Sequence, residues 1–335
     1  MTETAAEFET MAELPAGVRL RHLDPASDYP AMNAIANQIR RTTGQAFFTS
    51  DEDFARYYDA ARGFDRERDV LVVEQDGAVA GYARAGVREE PQGPRILEVM
   101  SFVDPLKIGD AAFVAAIQAI EARLAEIAAA LPPGERVFET FGGDDAPERD
   151  ALLRSIGYEP VRWFFTMIRP TLDPLPDSPL PDGLEIRPVE PSHMRAIWEA
   201  DQEAFRDHWG FTTGGDNDFA AFQAVADEQD PTIWQIAWDG DQVAGQVRGF
   251  IAKAENEAFG IRRGYVESIS VRRPWRRRGL ARALIAATID VLRERGMTEG
   301  MLGVDTENLS GALRLYEACG FERRRRATTY RKPLG

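Results

Sequence analysis

The succession of apolar and polar positions along the chain repeats. Gly17 to Asp28, GVRLRHLDPASD, has the pattern of GLEIRPVEPSHM from Gly183 to Met194, and each predicts an opening strand, a turn and a helix. Two apolar runs around an Asp-Gly pair follow in both copies, DVLVVEQDGAVAGYAR from Asp69 and PTIWQIAWDGDQVAGQVRG from Pro231, the mark of β-hairpins. ILEVMSFVDP from Ile96 then answers YVESISVRRP from Tyr265, with Glu98 opposite Glu267 and Pro105 opposite Pro274. Finally ALLRSIGYEP answers ALRLYEACGFER, with Gly157 opposite Gly320.

Within the second copy the alternation of Tyr265 to Val271 predicts a strand that Pro274 ends. Leu280, Leu284, Ala287 and Val291 recur at helical spacing, so a helix is expected from Gly279 to Arg295, stopped by Gly296. Met301 to Asp305 reads as a second strand, and a helix from about Leu309 to Cys319 ends at Gly320. Strand, helix, strand, helix is an α/β arrangement. A chain of 335 residues has room for two such units. Between the copies, RPTLDPLPDSPLPDG carries the prolines Pro170, Pro174, Pro176, Pro179 and Pro181 and reads as a stiff, extended connector. The expected domains are therefore 17–169 and 183–335, joined by a linker at 170–182.

Hydrophobic residues make up 44% and charged residues 28%, the balance of a globular chain rather than a disordered one. A net charge of -15 disfavours attraction to nucleic acid or anionic lipid and suits a cationic small molecule. A lone cysteine, Cys319, excludes an internal disulfide and a multi-thiolate zinc site. His22, His193 and His208 form no HExxH, so no metal is expected. Met1 to Gly17 is acidic without an apolar segment, and no run of 18 apolar residues follows. The expectation is a cytoplasmic monomer or homodimer without a membrane or nucleic-acid partner.

The candidate chemistry lies in the turn Arg276-Arg277-Arg278-Gly279-Leu280-Ala281. Main-chain N–H groups at a helix N-terminus can hold an anion, and Gly279 lets a ligand approach the backbone closely. No GxxxxGK or GxGxxG occurs. R-x-x-G-x-A after ISV, with ENLSGALRLYEACGF downstream, resembles instead the GNAT superfamily of acyl-CoA-dependent N-acyltransferases. The resemblance implies two tandem GNAT-like domains, each a mixed central sheet flanked by helices. It makes Arg276, Arg277, Arg278, Gly279, Leu280 and Ala281 the pyrophosphate loop for acetyl-CoA. The main chain of Ile269, Ser270 and Val271 would then face pantetheine and thioester. Asn308 would cap the following helix or bind the pantetheine chain. The first copy reads Asp104-Pro105-Leu106-Lys107-Ile108-Gly109-Asp110 at this turn; its carboxylates would repel a pyrophosphate, so no CoA is expected there. Duplicated chains with a degenerate first half are similar to mycothiol synthase and its relatives.

By strand alternation, Glu267 shares a face with Ile269 and Val271. At this spacing it resembles the general-base glutamate of spermidine/spermine-type members, acting directly or through a water. The alternative is that it orients a loop or pairs with Arg262 or Arg263. Tyr316 matches the tyrosine that many members place near the CoA sulfur as general acid, the alternative being core packing. Cys319 reads as a buried structural thiol. His208, Trp209 and Phe211, a Gly214-Gly215 hinge, and Asp207, Asp216 and Asp218 mark the region expected to cover the amine. The expected function is transfer of acetyl from acetyl-CoA to a primary amine of a small molecule, such as an amino sugar or a polyamine-like amine, by direct attack in the second domain. A CoA-responsive module without turnover and a nucleic-acid-binding basic patch are the alternatives.

Overall fold

The computed structural model describes residues 14–42, 49–60, 64–90, 93–103, 105–175, 177–206, 208–209, 211, 214–307 and 311–334. In chain order the strands among them are β1 (Val18–His22), β2 (Val70–Gln75), β3 (Ala78–Glu89), β4 (Arg95–Val103), β5 (Arg136–Gly143), β6 (Glu159–Arg169), β7 (Glu185–Arg187), β8 (Gln235–Asp239), β9 (Gln242–Phe250), β10 (Arg263–Val271), β11 (Glu299–Asp305) and β12 (Glu322–Pro333). Both hairpins form where the Asp-Gly pairs stand. Asp76 and Gly77 turn β2 into β3 with φ of 51° and 82°, and Gly240, at 56°, turns β8 into β9, the positive φ that tight hairpin turns require.

The described residues up to Trp163, with those from Arg326 onward, form one compact unit, and Phe164–Arg325 form the other. In the first unit the strand order is β1-β2-β3-β4-β5-β12. Its neighbours are antiparallel except β4 and β5, which run parallel where Arg95–Glu98 meets Arg136–Glu139. The helix Asp110–Ala129 covers one face through Phe113, Ile117, Ile120 and Leu124, and the helices Tyr29–Thr42 and Asp51–Ala60 cover the other through Met32, Phe54 and Tyr58.

The second unit repeats the plan in the order β6-β11-β10-β9-β8-β7. Phe164–Arg169 of β6 pairs antiparallel with Gly300–Asp305 of β11. The helices Leu280–Glu294 and Ala312–Ala318 pack on one face with Leu284, Ile289 and Tyr316, and the helix Met194–Phe205 packs on the other with Ile197. The Leu280–Glu294 helix buries Leu280, Ala283, Leu284, Ile289 and Leu292. Ala287 and Val291, expected at the centre of that stripe, lie half-buried at its margin.

The units do not divide at the proline-rich segment. β6, the last strand of the first copy, passes Trp163 into the second unit, while β12 returns Ala327–Pro333 to pair with Val137–Gly143 in the first. Hydrophobic alternation fixes the faces of a strand but not its neighbour. The segment expected to be a connector is itself part of the second unit's core: Leu172 is buried, Leu175 and Leu180 pack against it, and Asp173 pairs with Arg293 at 2.9 Å. Among the described residues no helix is long and apolar enough to cross a membrane, and no cluster of three or more His, Cys, Asp or Glu could hold a metal ion.

Candidate active site

The second unit's sheet opens along β10. Its parallel register with β11 covers Arg263–Tyr265 against Glu299–Met301. From Val266 onward the two strands have no paired register, so this stretch of β10 is open on its β11 side, the side on which a sheet can take up an extended ligand. On its other side β10 pairs with β9 as Glu267↔Arg248, then as Ser270↔Gln246. Two residues of β10 therefore oppose one of β9, a β-bulge, and Ser268 takes a positive φ of 50° within it.

The bulge breaks the alternation on which the facing of Glu267 was expected. Val266, Ile269 and Val271 pack into the core with Leu280 and Leu284. Glu267 and Ser268, adjacent in sequence, both open on a cleft of 440 Å³. Glu267 thus does not share a face with Ile269 and Val271. The first unit has no such slip: β3 and β4 stay in continuous register from Gly81↔Val103 to Glu89↔Arg95. There Glu98, the counterpart of Glu267, accepts a hydrogen bond from Arg88 Nε at 3.0 Å.

Glu267 Oε1 accepts from the Gly303 amide of β11 at 3.2 Å. Neither arginine named as an alternative partner takes it: Arg263 pairs with Glu299 at 2.7 Å, and Arg262 forms no ion pair with Glu267 among the described residues. Burial pushes the Glu267 carboxyl up to about 7, against the smaller opposing effect of the Gly303 hydrogen bond. Tyr316, 7% exposed in the helix Ala312–Ala318, is held well above the usual phenol range by burial, by the charge of Glu267 and by Cys319. Tyr316 therefore lies within the field of the Glu267 carboxylate. Cys319 is buried, and burial raises its thiol.

The turn after β10 is fastened from within. Trp275 is buried, with its indole N–H on Asp239 at 2.8 Å. Arg272 bonds Glu203 at 2.8 Å and the Val243 carbonyl at 3.0 Å. Arg276 Nε donates to the Val271 carbonyl at 2.9 Å and its Nη2 to the Ala204 carbonyl at 3.0 Å. Its side chain thus pins the end of β10 to the helix Met194–Phe205 rather than projecting from the loop. Beyond it Arg277 and Gly279 turn the chain with φ of 61° and 87°. A Cβ at Gly279 would meet nothing within 4 Å, and Gly279 caps the helix Leu280–Glu294 without a side-chain hydrogen bond. The first N–H groups of that helix have no intrahelical partner, and the exposed side chains of Arg277 and Arg278 flank them, Arg278 reaching the Asp182 carbonyl at 3.3 Å. Leu280 is buried and Ala281 half-buried below the loop. Such a cradle fits a pyrophosphate. Gly109 of the first unit is also left-handed, at 78°, but the helix it opens begins with Asp110.

Aromatic walls line the cleft, formed by Trp198, Phe222, Trp234 and Phe250, with Asp201, Asp218, Arg248, Glu267 and Ser268 among its polar groups. Of the expected acceptor residues that are described, only Asp218 lies there. His208 packs on Phe205 and Trp209 on Phe164, with ring centroids 4.4 Å and 6.3 Å apart, so these rings are used in packing. Asp216 pairs with Arg195 at 3.1 Å, Gly214 and Gly215 lead into the helix Asp216–Glu228, and neither Phe211 nor these glycines line the cleft. Asp207 and Asn308 lie outside the described residues. Sequence reasoning missed Trp198, Asp201, Phe222, Trp234, Arg248 and Phe250. One signal was present, since Arg248 occupies the place of Arg84 in the repeated hairpins.

Residues 194–321 match the model of the acetyltransferase (GNAT) family. The mycothiol acetyltransferase of Thermobispora bispora is 31% identical over 203 residues, which cover 59% of this chain and 66% of that protein. The first curated relatives are matched over only 58 to 66% of their own length. The crystal structure of a GCN5-related N-acetyltransferase from Sphaerobacter thermophilus superposes with a TM-score of 0.73 at 28% identity, covering 96% of both chains. A tandem GNAT protein from the clavulanic acid biosynthesis pathway, at 16% identity, shares the fold with a TM-score of 0.64 over 95% of this chain and 99% of its own. The family match lies over the opened strand, the turn and the cleft, so residues 194–321 are a domain of the GNAT acetyltransferase family.

Proposed function

We propose that the second unit transfers an acetyl group from acetyl-CoA to a primary amine of a small molecule bound in the cleft. One observation carries this reading: Glu267, with its carboxyl near 7, opens on the cleft at the point where β10 leaves β11. Acetyl-CoA supplies the acetyl group activated as a thioester. The N–H groups of Gly279, Leu280 and Ala281, with the side chains of Arg277 and Arg278, hold its pyrophosphate. Arg276 shapes the turn through its two carbonyl contacts, and the main chain of Ile269 to Val271 pairs with pantetheine.

An alkylamine with a pKa near 10.4 is some three units above neutrality, so its deprotonation accounts for roughly 4 kcal/mol of apparent barrier. Glu267 takes that proton, directly or through a water, and a carboxylate poised near 7 is matched to the task. Tyr316 stays protonated throughout the working range and donates to the departing sulfur. Because the Glu267 charge is one of the causes that raise the phenol, protonating Glu267 makes Tyr316 a stronger acid once the leaving group needs it. Asp201, Asp218 and Glu267 give the cleft an acidic lining that favours a cation, and its aromatic walls can receive the face of a sugar ring or a cationic centre. The likeness to mycothiol acetyltransferases supports a small-molecule acceptor.

Calorimetry with acetyl-CoA, followed by thiol release in the presence of amino sugars and polyamines, tests the reading on the full chain. One acetyl-CoA per chain and turnover with an amine are the expected results. Binding without turnover on any primary amine would leave a CoA-responsive module, and no binding would remove the loop assignment.

A further inference from the structure

Ser268 is held at φ 50°, a conformation that L residues other than glycine adopt at a cost. The strand fold does not oblige it, since β4 of the first unit runs past the equivalent position in register. The contacts that hold the bulge come from other elements. Arg248 Nη2 donates to Ser268 Oγ at 2.8 Å and to Asp201 Oδ2 at 2.7 Å. Asp201 Oδ1 accepts from Ser270 Oγ at 3.1 Å and from Gln246 Nε2 at 3.2 Å. Gln246 Nε2 also donates to the Ile197 carbonyl at 3.0 Å, on the helix that carries Asp201. One carboxylate thus ties both sides of the bulge, Ser270 directly and Ser268 through Arg248. The pair is largely enclosed, with side chains 13% and 16% exposed, and the Arg248 guanidinium lies over the rings of Phe222 and Trp234, at 5.0 and 5.7 Å from their centroids.

We propose that the Asp201–Arg248 pair is a positioning device for the acetyltransfer site. It keeps Ser268 left-handed, which turns Glu267 into the cleft beside Ser268 and holds the Ile269 to Val271 main chain in its bulged path. This deepens the acetyltransferase reading and rests on it for its kinetic consequence, but the brace itself is a property of the backbone. The competing role is direct contact with the acceptor, because both side chains also line the cleft.

A double-mutant cycle separates the two roles. Glycine adopts a positive φ without strain, so Ser268→Gly should make the brace dispensable, and its own rate is the reference for the second limb of the cycle. Arg248→Met should lower kcat roughly tenfold, the factor that matches the cost of left-handed backbone at a residue other than glycine, with little change in KM for the amine. In the Ser268→Gly background the same substitution should cost less than about threefold, a coupling that independent sites do not show. Asp201→Asn should follow the same rule. A loss expressed in KM, or one that persists undiminished with Ser268→Gly, would overturn the proposal in favour of acceptor contact. Where Arg248→Met does not fold, Arg248→Gln serves the same cycle.

Amide hydrogen exchange at Ile269 and Ser270 reads the bulge without any turnover. Exchange should quicken in Arg248→Met and return with Ser268→Gly, and unchanged exchange in Arg248→Met would sink the brace. A wild-type chain that acetylates no amine overturns the functional reading alone, because the exchange result still decides the role of the pair.

Discussion

In the second unit the charge of Glu267 bears on the protonation of Tyr316. Glu267 is expected to act as a base only when ionised, so kcat should rise with pH through about 7 and level off above it. In Glu267→Gln that limb should vanish with at least a tenfold loss of rate, read from a pH–rate profile. The same raised carboxyl has a consequence for stability. An unfolded glutamate ionises near 4.5 while the folded one holds its proton to about 7, so its contribution to folding is complete below 4.5 and lost as pH climbs through 7. Glu267→Gln should therefore stabilise the chain by roughly 2 to 3 kcal/mol at pH 8 and by nothing at pH 4, measured by denaturant melts at the two pH values. Tyr316→Phe should lower turnover more than acetyl-CoA affinity, and unaltered turnover would return Tyr316 to a packing role. Glu267 and Tyr316 are candidates from sequence because the resemblance places each at a fixed offset in a motif. The facing of Glu267 could not, because a serine at positive φ leaves no trace in the pattern of apolar and polar residues.

At the scale of elements, the hairpins and the helix after the loop were legible because Asp-Gly turns and helical periodicity are local signals. The walls of the cleft were not. Trp198, Phe222 and Phe250 stand on three different elements and Trp234 just ahead of β8, and what gathers them is tertiary packing. The turn between β10 and its helix offers a test of element geometry. Arg278→Ala with Gly279→Val places a β-branched residue at φ 87°, in the cradle proposed for the pyrophosphate. Acetyl-CoA affinity should fall at least tenfold by calorimetry with circular dichroism unchanged, and unchanged affinity would remove the loop from the binding site. Gly245 marks the other side of the same junction. A Cβ there would lie 2.9 Å from the Ser270 carbonyl and 3.2 Å from Leu280, so Gly245→Ala should cost about 1 to 3 kcal/mol in a denaturant melt. Its counterpart in the first hairpin, Gly81, is equally hemmed, with the Phe102 carbonyl at 3.1 Å.

On the scale of the whole molecule, duplication was visible in the sequence, whereas the exchange of final strands was not. A chain cut in the proline-rich segment would leave its first half without Tyr330, 1% exposed and part of the first unit's core. It would also lack Lys332, whose Nζ bonds Glu121 at 2.7 Å, and Arg331, which reaches Glu139 at 2.8 Å. The second half would lose Phe164–Arg169, the partner of β11. Removal of 326–335 should therefore abolish cooperative unfolding of the first unit, observed as loss of amide protection in β4 and β5, and retained protection would show that β12 is dispensable there.

Strand β12 also sets an order in time. A ribosome that has made everything from β1 to β5 has supplied every strand of the first sheet but its last, and Tyr330 is still more than 180 codons away from Gly143. While those residues emerge at roughly 5 to 20 per second, β5 presents an unpaired edge of the kind that recruits stray strands. The first unit to begin folding is thus the later of the two to close, and a nascent chain stalled after β11 is the species most exposed to misassembly and to capture by chaperones.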